Sequence, residues 1–140
     1  MAQFNFRCSL HPYVANPGSH KGFTVARPWV EVHASIGGRT PQKVWCLVDT
    51  GSDQTILDRG TARALGLSPG RLPQRSVSLG NNMSASFGMQ PGVKLDFAGT
   101  SVSVTVAFGV VAAPLLGRDA LLNQPRSVVA GFDAKQWHHT

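Results

Sequence analysis

Charge is scarce in this sequence, and the charge present does not cluster. Asp, Glu, Lys and Arg make up 14% of 140 residues against 42% hydrophobic, which excludes a disordered polyelectrolyte and describes a globular chain. Thirteen basic residues outweigh seven acidic ones, leaving a net charge of +6. The arginines are dispersed from Arg7 to Arg126, with no run of five basic residues and no basic helical face. The excess therefore reads as a solvated basic surface, with no specific nucleic-acid partner. Cysteine is nearly absent. Cys8 and Cys46 stand far apart and form no CxxC. The spacing of Cys8, His11 and His20 is loosely ligand-like, but nothing completes a set of four, so no metal and no cofactor are expected. Cys46 lies in an apolar segment and reads as a small buried hydrophobe. Long apolar runs are also missing. The longest, "VAFGVVAAPLLG", is too short to span a bilayer and contains Pro114, and "MAQFNFRCSLHPY" lacks the apolar centre of a signal peptide. The expectation is a soluble, cytoplasmic protein with no membrane segment in this chain.

Turn residues, in contrast, are plentiful. Fifteen glycines and nine prolines break the chain often, as short strands joined by turns require. The length suits one domain with a modest core. "WVEVHASI" alternates as a half-buried strand, "GGRTPQK" is a loop, and "VWCLVDT" reads as a second, more continuously buried strand. Asp58 is placed to cap a short helix with Ala62 and Leu65 on one face and Gly66 at its end. "QRSVSLGNNMSASFGM" predicts an exposed, serine-rich hairpin about Gly80-Asn81-Asn82, and "GVKLDFAGTSVSVTVAFGVV" predicts another about Ala98-Gly99. "PLLGRDALLN" starts as a strand, breaks at Gly117 and begins a short helix at Asp119, and "SVVAGFD" suits a last strand. The fold class is all-β, a small closed barrel or sandwich with one or two short helices.

One stretch carries chemistry. "CLVDTGSDQTILD" runs an apolar strand into Asp49, then Thr50-Gly51-Ser52 and Asp53, then turns apolar again. Asp-x-Gly alone is most simply a turn. The flanking apolar segments and the hydroxyl residue on each side of Gly51 make the stretch more specific. With "RPWVEVHASIGG" before it, a glycine-containing hairpin after it and "PLLGRDALL" closing, most of residues 27–122 resembles the retropepsin-like aspartic proteases, the family that includes the retroviral proteases.

The resemblance implies a small closed β-barrel of the acid-protease type completed as a homodimer, and an aspartic endopeptidase acting on peptide or protein substrates. Asp49, Thr50 and Gly51 would form the catalytic loop. Two carboxylates around one water cannot both ionise, so one acts as base and the other as acid, with activity peaking at acidic to mildly acidic pH. Thr50 would bond across to the partner loop, and Ser52 would donate to the outer oxygen of Asp49. Asp58-Arg59-Gly60 lacks the threonine, so the chain holds one Asp-Thr-Gly, and a two-fold axis must supply the second Asp49. Asp53 would pair with Arg118 and face Arg27 of the partner, the alternative being a surface ion pair of little worth. Gly117 would let the closing strand pack behind the loop. The hairpin 76–89 would be a flap that binds substrate through Leu79, Gly80, Asn81, Asn82 and Met83, with its tip near Gly80–Met83; Leu79, Met83 and Phe87 would line either the cleft or an ordinary hairpin core. Residues 1–24 form an N-terminal extension containing a possible dimer-interface strand, and 25–140 the protease domain. The segment "LDRGTARALG" is longer than in compact retroviral enzymes, and the flap carries fewer glycines. The rival reading is a catalytically silent peptide-binding or dimerisation module on the same fold.

Overall fold

Alternating burial along the strands sets the layout. The computed structural model describes residues 2–5, 7–13, 23–78, 82–121 and 128–131. The strands in chain order are β1 (Ala2–Asn5), β2 (Arg7–Tyr13), β3 (Phe23–Ser35), β4 (Gln42–Val48), β5 (Ile56–Asp58), β6 (Gln74–Ser78), β7 (Ser84–Phe97), β8 (Thr100–Gly109), β9 (Leu115–Leu116) and β10 (Val128–Gly131). Val30, Val32 and Ala34 of β3 turn inward, as do Val44, Cys46 and Val48 of β4. Val93, Leu95 and Phe97 of β7 meet Val102, Val104 and Val106 of β8 in the same core. β4 was expected to be buried more continuously than it is. It alternates, and Trp45 is 47% exposed because its partner Glu31 shares the outer face. Burial makes the Cys46 thiol hard to ionise, with a lesser push from the Asp58 carboxylate, and together they raise it to about 12.

Eight strands follow one another in the order β2-β3-β4-β9-β5-β8-β7-β6, and β3 also pairs with β7 from His33↔Asp96 to Ser35↔Lys94. β1 and β10 form a separate parallel pair. The β7–β8 hairpin turns through Ala98 and Gly99, both at positive φ, as the two-residue turn between twisted strands demands. Its β7 arm bends at an irregularity between Gln90 and Val93, where Gly92 has a φ of +69°.

Two short helices occur among the described residues. α1 (Arg59–Ala64) starts where Asp58 accepts from the Thr61 N–H at 3.2 Å, and it buries Ala62 and Leu65 before Gly66 turns the chain at φ +78°. α2 (Arg118–Leu121) buries Ala120 and Leu121 against the core. Among the described residues no helix is long and apolar enough to cross a membrane.

Candidate active site

The strand that ends at Val48 delivers Asp49 with its backbone already fixed. The Leu47 N–H donates to the Pro114 carbonyl at 2.8 Å and the Asp49 N–H to the Leu116 carbonyl at 3.0 Å, so β9 holds the strand end from one side. The chain then folds round the carboxylate. The Gly51 N–H donates to Asp49 Oδ1 at 3.0 Å, and the Ser52 N–H donates to the Asp49 carbonyl at 3.2 Å. A Cβ on Gly51 would lie 3.2 Å from Asp49 Oδ1, a tight approach that would press on the carboxylate. Asp49 is half-buried and Thr50 is exposed.

Ser52 departs from expectation. Its hydroxyl donates to the Gln54 carbonyl at 2.7 Å, where donation to the Asp49 carboxylate was expected. A hydroxyl has one proton to give, and the local turn offers a carbonyl two residues on, a common competitor for serine.

Behind the loop sits a buried polar lock. Thr55 is fully buried; its hydroxyl donates to Asp119 Oδ1 at 2.8 Å and accepts from the Gly117 N–H at 3.1 Å. The Thr55 N–H donates to the other Asp119 oxygen at 3.1 Å, and the Arg118 N–H donates to the Ser52 carbonyl at 2.8 Å. A Cβ on Gly117 would come within 2.4 Å of the Gln54 carbonyl group, so only glycine permits this approach. Asp53 and Arg118 form an ion pair whose side chains are 78% and 44% exposed. At that exposure the pair adds little stability, and the backbone links carry the connection. The Arg27 backbone pairs with Ser9 of β2 in register, while its side chain lies outside the described residues.

The loop opens into a cavity of about 580 Å³. Asp49, Gly51 and the 52–54 segment line it together with Ile56, Leu115 and residues 75–78 of β6. β6 pairs with β7 from Gln74↔Gly88 to Ser78↔Ser84 and is mostly exposed, as its serines predict. Phe87 belongs to the hairpin core and not to the cleft: it is fully buried with Ile56 and Ala107. Asn82, at φ +61°, and Met83, 62% exposed, stand outside the cavity lining, while Leu79, Gly80 and Asn81 lie outside the described residues. The root of the hairpin rests on a single 3-10 turn at Pro69–Arg71, where a Cβ on Gly88 would meet the Pro69 carbonyl oxygen at 2.5 Å.

Sequence alone does not single out Thr55, offers Asp119 only as the start of a helix and assigns Arg75 no role. A threonine inside the apolar run "TIL" was the available signal, because a buried hydroxyl must find a partner. Nothing local names Asp119 as that partner, 64 residues away.

A family model described as aspartyl protease matches residues 32–120, more than half of the chain, and this span contains the Asp49 loop, the β6–β7 hairpin and the Gly117–Asp119 segment. The comparison with curated proteins gave no match.

Proposed function

The chain belongs to the aspartyl protease family, and from that premise we propose that it is an endopeptidase whose working unit is a homodimer. The observation that carries this reading is Asp49 itself. A single carboxylate is held half-buried by a glycine-containing loop that lines an open cavity, and the chain has one Asp-Thr-Gly to offer. A second copy related by a two-fold axis supplies the other carboxylate. The β3–β7 pairing, which joins strands distant in the sheet order, supports a closed barrel behind that interface.

The chemistry follows from two carboxylates sharing one proton. The ionised member takes a proton from a water whose oxygen attacks the peptide carbonyl carbon, and the protonated member gives its proton to the carbonyl oxygen. Collapse of the tetrahedral diol breaks the C–N bond: the departing nitrogen takes up a proton from the pair, and a diol hydroxyl returns one to it as the carboxylic acid forms. The lock behind the loop keeps Asp49 in place through these steps, and β6 covers the bound peptide.

Asp49→Asn is the direct test of the residue. The amide fits the same space but cannot accept the water's proton, so peptide cleavage should fall on the order of 10²- to 10⁴-fold with the fold retained. Undiminished cleavage by the folded variant would remove Asp49 from the reaction.

A further inference from the structure

The wall of the cleft carries a cation that this chemistry does not use. Register on β6 pairs Arg75 with Phe87 and Val77 with Ala85, and directly paired residues share a face. Val77 and Ala85 pack against the Ile56–Phe87–Ala107 cluster, so this is the inward face of the hairpin. Gln74 and Ser86, joined by a 3.1 Å hydrogen bond, occupy the outward one. Arg75 lies on that face at its exposed edge, beyond the core, and lines the cavity together with Asp49.

The other charges of that lining have partners or a task. Asp53 is matched by Arg118, and Asp49 is the reacting group. Arg75 is exposed and, among the described residues, forms no ion pair and no side-chain hydrogen bond. Its planar fork suits a carboxylate better than any other group a peptide carries.

We propose that Arg75 is a specificity-determining residue that selects peptides bearing an aspartate or glutamate side chain near the scissile bond. This rests on the proteolytic reading of the site. A peptide filling the cleft excludes water, which strengthens the ion pair relative to one on open surface. Lysine or arginine at the same subsite is repelled, and a neutral residue forgoes the pair. In the two-fold dimer Arg75 occurs twice, so the acidic preference falls on both sides of the cleaved bond.

The test digests a mixed peptide library with the full-length wild type, Arg75→Gln and Arg75→Glu, and reads the cut sites by mass spectrometry. Wild-type sites should show Asp and Glu enriched roughly two- to five-fold at a symmetric pair of positions, the range a partly exposed ion pair supplies. Arg75→Gln should lose the enrichment and Arg75→Glu should replace it with Lys and Arg. Wild-type sites without acidic enrichment, or enrichment that survives Arg75→Glu, would overturn the assignment. An equal fall for every peptide in Arg75→Gln would also overturn it, since a merely positioning role is blind to substrate charge. A second arm passes the uncut library over immobilised Asp49→Asn, with and without Arg75→Glu. Selective retention of acidic peptides that is lost with Arg75→Glu supports charge selection even if the wild type cuts nothing, in which case only proteolysis fails. No such retention, with no cleavage, overturns both.

Discussion

Thr55 shows at the scale of one residue how the site is held. Its hydroxyl and backbone together bind both oxygens of the part-buried Asp119 and the buried Gly117 N–H, with Thr55 itself fully buried. Thr55→Val keeps the volume but strands the buried Gly117 N–H and removes one of the two donors to Asp119 Oδ1, which keeps the Ala120 N–H. Stability should drop by about 1–3 kcal/mol, seen as a lower urea midpoint at unchanged slope. An unshifted midpoint would mean that the lock adds nothing. Cys46 gives a second residue-level expectation. Its thiol is raised from 9.0 to about 12, chiefly by burial, so the native state keeps the proton longer than the unfolded chain does. The resulting stability is whole below pH 9 and is lost progressively as pH rises from 9 toward 12. The margin of wild type over Cys46→Ala in urea should accordingly narrow across that window, and a constant margin would contradict the burial argument. The burial of Cys46 was readable from its apolar neighbours. The Thr55–Asp119 bond was not, because a contact across 64 residues leaves no periodic trace in either segment.

At the scale of elements, local chemistry proved a good guide wherever it decides the backbone. Asp58 caps α1 as its side chain allows, and Ala98-Gly99 turns the β7–β8 hairpin as expected. The turn still contains a misfit. Ala98 sits at φ +48°, a conformation that costs a residue with a Cβ, and type I′ turns favour Asn before Gly. Ala98→Asn should therefore stabilise the protein by about 0.5–1 kcal/mol, measured as a raised midpoint of thermal or urea unfolding. A loss of stability would show that the turn is held by contacts and not by its own preferences. What the elements do to each other was much less legible. That β5 runs parallel to β8, and that β3 meets both β4 and β7, depends on long-range pairing that hydrophobic alternation does not specify. Phe87 illustrates the limit: alternation places it on the inner face of its strand, but only the packing of Ile56 and Ala107 turns that face into core.

The whole molecule raises the matter of assembly. Residues 2–5 and 128–131 meet in the parallel β1–β10 pair, with one edge of each strand left for further pairing within that two-stranded sheet. If the proposed dimer is built in part there, deleting residues 127–140 should raise its dissociation constant and lower activity at fixed concentration, checked by sedimentation equilibrium beside peptide cleavage. An unaltered dissociation constant would place the interface elsewhere. The proposed dyad does not depend on any one interface strand: each active site would draw one Asp49 from each of two chains. Its most direct measurement mixes and co-refolds a fixed amount of wild type with increasing Asp49→Asn and follows peptide cleavage. A shared dyad predicts that the inactive chains capture active ones, so that activity falls to roughly half at equal amounts, where random pairing sets half the wild-type chains against an inactive copy. Activity that stays level whatever the amount of Asp49→Asn would contradict it, since each chain would then be working alone.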